Sequence, residues 1–247
     1  MELIFRDDAY QQSCEAVVVS ADETGIRLDR TVFYPLGGGQ PGDSGVLRLV
    51  QDGAQGGAQG GAEGGSLRIV DTRKGESPDD VLHIPEEGAA LPAPGTAVTA
   101  EIDWERRHRL MRMHTCMHLL CSLIEGDVTG GQVGEAKSRL DFNLPDTRLD
   151  KEALTAALNR IVAEDRPVRP RWITDEELAA SPQLVRTMSV KPPSGQGKVR
   201  LLEIEGVDLQ PCGGTHVRST GEIGPVAIGK IENKGRQNRR VNILFAE

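Results

Sequence analysis

The stretch D-W-E-R-R-H-R-L-M-R-M-H-T-C-M-H-L-L-C-S-L-I-E-G, from Asp103 to Gly126, is where the chain changes from β-type to helical patterning. Asp103 suits an N-cap, Glu105 puts a carboxylate in the first turn and Gly126 is a C-terminal stop, so a helix is predicted from Trp104 to Glu125. Leu110, Met113, Met117, Leu120 and Ile124 recur at helical spacing and form its core stripe. His114 and His118 lie four apart and therefore share a face. Two imidazoles so placed can ligate one ion. A second pair, Cys212 and His216 in C-G-G-T-H, can complete a tetrahedral nitrogen and sulfur shell of the kind Zn2+ prefers. Cys116 must point away from the histidine face and reads as buried and inert, whereas Cys121 lies on that face as a weaker competing ligand. His83 and His108 read as ordinary surface or core-edge residues.

Upstream of Asp103 the pattern is short β-type runs separated by turn residues: Ala16 to Ser20, Gly25 to Phe33, Gly45 to Val50, Leu67 to Asp71, Val81 to Ile84 and Thr96 to Ile102. This spacing predicts a small antiparallel barrel or sandwich. A tandem G-A-Q-G, G-A-Q-G, G-A-E-G from Gly53 to Gly64 is too glycine-rich to pack and reads as a flexible hairpin loop. The other glycine-rich run, F-Y-P-L-G-G-G-Q-P-G-D-S-G from Phe33 to Gly45, lacks the G-K-[ST] ending of a phosphate-binding loop and precedes no helix, which argues against nucleotide hydrolysis. Gly37, Gly38 and Gly39 can still bring backbone against a partner.

Downstream, Leu154, Ala157, Leu158 and Ile161 line one face of a second helix, Lys151 to Glu164, that Pro167 ends. Thr174 and Glu177 make a capping box for a short third helix stopped near Pro182. Strands are predicted at Val168 to Ile173, Val199 to Glu205, Val226 to Glu232 and Val241 to Phe245. The fold class is therefore α+β, with an N-terminal antiparallel β domain over 1–103 and, over 104–247, helices laid on an antiparallel sheet.

Composition narrows the function classes. The chain has 247 residues, 38% apolar and 27% charged, with 3% aromatic, so aliphatic side chains must fill the core of a soluble globular protein. No run matches a membrane span or signal peptide, and four cysteines without a disulfide pattern fit a reducing compartment, which makes the cytoplasm the expected location. A net charge of -8 argues against indiscriminate nucleic-acid binding. It leaves room for a local basic patch at Lys230, Lys234, Arg236, Arg239 and Arg240, whose bland reading is a solvated strand and turn.

The C-G-G-T-H pair follows Pro211 and holds Gly213 and Gly214, which places it in a loop. Backbone N–H groups in such a turn can bind a carboxyl oxygen, a phosphate or a developing oxyanion. A structural zinc knuckle uses the same glycines for the turn alone, and four saturating ligands describe such a site while a catalytic one keeps a position open.

Taken together, H-T-C-M-H-L-L, T-G-G-Q-V, R-L-D-F-N and Q-P-C-G-G-T-H-V-R-S-T-G-E-I-G, preceded by Y-P-L-G-G-G-Q-P-G-D-S-G, resemble the editing part of alanyl-tRNA synthetases, and especially the free-standing alanyl-tRNA editing proteins. The likeness extends from about Phe33 to Phe245; the glycine-alanine-glutamine insertion departs from it. It implies an N-terminal β-barrel carrying the glycine-rich run, a C-terminal editing domain, and a zinc-dependent hydrolase that removes serine, and in some members glycine, from mischarged tRNA(Ala). On that resemblance Gly213, Gly214 and Thr215 are candidates for stabilising the oxyanion, and Thr115 and Gln132 for recognising the serine hydroxyl. Gly37 to Gly39 and the basic cluster become candidates for tRNA contact. Whether the ion polarises the ester, activates water or orients the substrate amine is open from sequence, as is whether His216 stays bound. The rival class is a non-catalytic module in which zinc staples a fold that binds RNA or a synthetase; a related editing domain acting on seryl-threonine tRNA is a second rival.

Overall fold

The structure is a computed structural model that describes residues 1–50, 65–77, 79–144, 149–186 and 197–246. The Gly53 to Gly64 repeat lies outside them. Two compact units result: Met1–Gly37 with Pro41–Arg107, and Gly38–Gln40 with His108–Glu247.

The first unit contains β1 (Glu2–Leu3), β2 (Ser13–Asp22), β3 (Gly25–Leu28), β4 (Arg30–Thr31), β5 (Gly45–Leu49), β6 (Ser66–Lys74), β7 (Val81–Pro85) and β8 (Ala97–Ile102). Strands β2, β3, β7, β6, β5 and β8 close into an antiparallel barrel in that order, and β8 returns to pair with β2. Period-two patterning places Ala16, Val18, Ile26, Leu28, Leu47, Leu67, Ile69, Val98, Ala100 and Ile102 in one aliphatic core around Phe33. The sequence run Gly25 to Phe33 divides into β3 and β4, and β4 pairs in parallel with β1. His83 is no core-edge residue. It is fully buried, with Nδ1 against the Ile26 carbonyl at 2.9 Å and Nε2 against Thr31 Oγ1 at 2.8 Å.

Arg107 is fully buried in the same unit. Its guanidinium meets the Asp43 carboxylate through Nε and Nη2, and also donates to the carbonyls of Val32 at 2.8 Å and Ala9 at 3.0 Å. Asp43 in turn accepts the Tyr34 N–H at 2.6 Å, so every charged atom of the pair is engaged, as burial of charge requires.

The helix α1 (Trp104–Leu123) starts where the sequence predicts, with Asp103 Oδ1 accepting the Arg106 N–H at 3.1 Å, and ends two residues earlier than Glu125. Its core stripe is too narrow a description. From Leu110 to Cys121 every residue except Arg112 is buried, because packing surrounds the helix. Beyond it follow β9 (Val128–Gln132), β10 (Lys137–Asn143), α2 (Lys151–Ala163), β11 (Val168–Thr174), α3 (Asp175–Ala179), β12 (Lys198–Ile204), β13 (Asp208–Pro211), β14 (Val226–Asn233) and β15 (Asn238–Phe245).

These strands form two antiparallel sheets among the described residues, β14-β15-β10-β9 and β11-β12-β13. Helix α2 lies against β14, where the Asn159 amide bonds both backbone groups of Val226 at 2.7 and 3.0 Å. The Thr174 and Glu177 capping box of α3 is present in full. Strands β9, β10 and β13 were not apparent from patterning: β9 carries Gly130 and Gly131, and β13 is four residues ending in proline.

Candidate metal centre

Four ligand atoms, one each from His114, His118, Cys212 and His216, lie within 4.8 Å of one another. The first two come from successive turns of α1, and the other two from the loop that leaves β13. Cys212 Sγ stands 3.2 Å from His216 Nε2 and 3.7 Å from His114 Nε2. The three imidazoles are buried. Gly214 is required by closeness: a Cβ there would lie 2.3 Å from His114 Cε1.

A ring of partners around these residues sets their orientation. Gln40 Oε1 faces His114 Nδ1 at 2.8 Å and accepts the Thr215 N–H at 3.1 Å. Because a backbone N–H can only donate, that atom must be the amide oxygen, and His114 must carry its proton on Nδ1. The Gln40 Nε2 donates to Thr215 Oγ1 at 2.7 Å, which completes the same assignment. His118 Nδ1 meets Asp208 Oδ2 at 2.9 Å. His216 Nδ1 meets Thr115 Oγ1 at 3.2 Å; that hydroxyl donates to the Met111 carbonyl at 2.9 Å, so it accepts from the imidazole. Each histidine thus has Nδ1 held by a different acceptor and offers Nε2 inward, the arrangement a metal needs from its surrounding residues.

Charge within the cluster favours the ligating state of the cysteine. Burial works against a Cys212 thiolate, yet His114 and His216 outweigh it and hold the thiol well below its ordinary range. Burial likewise opposes charge on His118, but Asp208 and Cys212 raise it to about 10. His216, with burial dominant, falls to about 3 and stays neutral. A thiolate and neutral imidazoles are the forms that bind zinc; Cys212 and His216 are already in them, and zinc would displace the proton that Asp208 and Cys212 favour on His118, so the donor set and its outer partners fit that ion. Cys121 stands outside the group, and burial pushes its thiol up to about 12, as it does that of Cys116.

The other residues singled out in the sequence fall in several places. Thr115 is buried beside His216, with its hydroxyl engaged as above and also accepting the Val217 N–H at 3.3 Å. Gln132 is exposed at the end of β9, its Oε1 3.4 Å from Arg139 Nε. The Gly214 N–H points at Cys212 Sγ at 3.5 Å and that of Thr215 at Gln40, while Gly213 has open space where a Cβ would stand. Gly38 is similarly open, and Gly39, at φ +81°, approaches Gly131 so closely that a Cβ would lie 2.9 Å from its carbonyl oxygen. Gly37 belongs to the barrel unit, near Tyr34 and Lys74.

In the basic cluster, Lys234 pairs with Glu232 at 2.7 Å and Arg240 with Asp141 at 2.7 Å. Arg239 bonds the Gly235 and Asn238 carbonyls, and Lys230 and Arg236 are exposed. Sequence reasoning missed Gln40 and Asp208. The one signal for Asp208 was alternation, since 208, 210 and 212 share a strand face; Gln40 offered only its place after three glycines.

The comparisons give this arrangement a class. Residues 199–242 match the model described as the threonyl and alanyl tRNA synthetase second additional domain, which covers the loop bearing Cys212 and His216. The chain is 35% identical over 246 residues to the alanyl-tRNA editing protein AlaX-M of Methanosarcina acetivorans, covering 97% of each. It is 37% identical over 255 residues to the protein of the same name from Methanosarcina barkeri, covering 100% of this chain and 99% of that one. The alanine–tRNA ligase of Ignicoccus hospitalis is 34% identical over 251 residues, 98% of this chain but 25% of the ligase. A barrel followed by an α+β unit with a buried histidine and cysteine group therefore defines a synthetase-related editing protein. The chain belongs to the alanyl-tRNA editing protein family.

Proposed function

We propose that this protein is a trans-editing hydrolase that cleaves the ester of serine wrongly attached to tRNA(Ala), with glycine as a second candidate substrate, and that its cofactor is zinc held by His114, His118, Cys212 and His216. The observation that carries this reading is the inward convergence of Nε2 from three imidazoles, each with its Nδ1 held by a separate acceptor, on one thiolate-prone cysteine. The near-full-length relatives, alanyl-tRNA editing proteins, support aminoacylated tRNA(Ala) as the substrate class.

When bound, zinc supplies Lewis-acid polarisation or orientation of the ester beside it. The chain supplies the rest. We assign the oxyanion to the Cys212 to Thr215 turn, with the open Gly213 as its backbone donor, since the Gly214 N–H is directed at Cys212 Sγ and that of Thr215 at Gln40 Oε1. We assign the serine hydroxyl to the exposed amide of Gln132, while the Thr115 hydroxyl holds His216 in register. Open backbone at Gly38 and the exposed Lys230 and Arg236 are assigned to tRNA, with Gly37, Gly39, Lys234, Arg239 and Arg240 shaping those two surfaces. The functional domains are taken as 1–103 and 104–247, acting on the tRNA pool of the cytoplasm; no helix among the described residues is long and apolar enough to cross a membrane.

Incubation with seryl-tRNA(Ala) and alanyl-tRNA(Ala), with and without a chelator, tests the proposal. Rapid loss of the seryl ester, sparing of the alanyl ester, and loss of activity on chelation restored by zinc are expected. Equal, chelator-insensitive decay of both esters would leave a zinc-stapled binding module as the better reading.

A further inference from the structure

Aromatic side chains are scarce in this chain: two Trp, two Tyr and four Phe. Phe5, Phe33, Tyr34 and Phe142 are buried and Tyr10, Trp104 and Phe245 are half-buried, which leaves Trp172 as the one exposed ring, at 49%. Its place in the sheet relates it to the metal centre. In the antiparallel register Trp172 of β11 stands opposite Arg200 of β12. The ladder from β12 to β13 pairs Leu201 with Pro211, and the Cys212 N–H continues it by donating to the Arg200 carbonyl at 3.1 Å. Directly opposed residues in an antiparallel sheet share a face. Trp172, Arg200 and Cys212 therefore form a lateral row that ends at the metal ligand.

Two strand spacings set the backbone separation of Trp172 from Cys212 at about 10 Å. Between them, Arg200 Nη1 donates to the carbonyls of Cys212 at 2.8 Å and Gly214 at 3.0 Å. The opposite face of the sheet carries α3, which lies against β11 and β12, beside a cleft lined by Ile173, Leu201, Leu209, Ala180 and Leu184. On the Trp172 face the neighbouring position of β12, opposite Thr174, is the exposed Lys198. An open indole, flanked by cations and one nucleotide's length from the hydrolytic site, matches an unpaired base and its phosphate.

Resting on the editing function proposed above, we propose that Trp172 is a stacking platform for an unpaired base at the 3′ end of the aminoacyl-tRNA. The ester at the metal centre and a base on the indole would then be held by one row of the sheet. The platform carries no sequence specificity, since every base offers a π face, and it contributes reach and orientation to either charged amino acid.

The test uses two RNA hairpins with the acceptor stem of tRNA(Ala), one with the complete single-stranded 3′ tail and one lacking its last nucleotide, with full-length protein. Wild type should bind the complete hairpin more tightly. Trp172→Ala should lose on the order of tenfold in affinity for it and no longer distinguish the two, while Trp172→Phe retains most of the preference. In deacylation of seryl-tRNA(Ala), KM should rise more than kcat falls, at unchanged zinc content. Wild-type affinity and KM in Trp172→Ala would overturn the platform while leaving the editing function standing, and so would equal losses on both hairpins. Should wild type neither bind the hairpins nor hydrolyse seryl-tRNA(Ala), both readings fall together.

Discussion

Gln40 accepts the Nδ1 proton of His114 at 2.8 Å, and through it a glycine-rich run far upstream in sequence reaches a helical ligand residue. Its amide cannot turn over, because the same oxygen takes the Thr215 N–H and its nitrogen bonds the Thr215 hydroxyl. The tautomer of His114 is thereby set from outside the ligand group. We expect Gln40→Leu, similar in size and without polar atoms, to weaken zinc affinity by about 10–100-fold with the fold retained. Competition against a chromogenic chelator measures it; an unchanged affinity would remove Gln40 from the site.

Metal removal makes a second prediction. Cys212 is the sulfur of the group, and its thiol is held toward the anion before any ion arrives. Cys212→Ser should abolish stoichiometric zinc, and unfolding of wild type should shift to lower denaturant when a chelator is added, because binding free energy is also folding free energy. Elemental analysis that still finds one zinc per chain in the variant would contradict the ligand assignment.

The contrast between Gln40 and His114 shows what a sequence makes legible. Spacing of four on a helix, and of four around a glycine turn, is local geometry, so the two pairs that the fold brings together as candidate ligands, and the helix that carries one of them, could be read directly. The barrel was legible for the same reason, since period-two alternation repeats in each strand. The acceptors Gln40, Asp208 and Thr115 are joined to their histidines only by folding; apart from the alternation that puts Asp208 on the strand face of Cys212, nothing local marks their amide, carboxylate and hydroxyl for this role. Glycines hid β9 for a related reason: its side chains do not alternate, and its pairing with β10 is a backbone matter.

The buried pair Asp43 and Arg107 makes a stability prediction free of the metal. Arg107→Met removes one charge and leaves the Asp43 carboxylate buried with only the Tyr34 N–H at 2.6 Å on its Oδ2. The cost should be about 3–5 kcal/mol. The double change Arg107→Met with Asp43→Asn should recover part of it, since no unpaired charge then remains. Urea unfolding of the three proteins checks both statements, and a neutral single variant would show that water reaches the carboxylate.

His83 gives the barrel a pH dependence. Burial, only partly offset by the Ile26 carbonyl, lowers its pKa to about 4, against 6.5 in an unfolded chain. The neutral ring is what the folded state holds, so its contribution is whole above pH 6.5. As pH falls below 6.5 the unfolded chain takes up the proton and the folded one does not, and stability declines until about pH 4. The full loss is about 3 kcal/mol. Comparing the urea midpoints of wild type and His83→Gln at pH 7.5 and 4.5 isolates this group from the carboxylates common to both. Parallel pH slopes would mean that the imidazole titrates normally.

Selectivity separates Gln132 from Thr115. The Thr115 hydroxyl donates to Met111 and receives from His216 and Val217, so no hydrogen-bonding direction is left on it for a substrate hydroxyl. Gln132 is exposed, with a long 3.4 Å contact from Arg139 as its side-chain bond, and its amide has capacity to spare. Serine and alanine esters differ by one hydroxyl, and only a positioned polar partner converts that difference into a large one in barrier. We expect Gln132→Ala to reduce the ratio of seryl to alanyl single-turnover rates by at least about tenfold, at full zinc content. Thr115→Val should leave the ratio within about twofold and instead weaken zinc binding, about tenfold, by freeing the His216 ring. If the outcomes are reversed, with Thr115→Val collapsing the ratio at full zinc occupancy, the serine hydroxyl sits against α1 and displaces one of the bonds seen here.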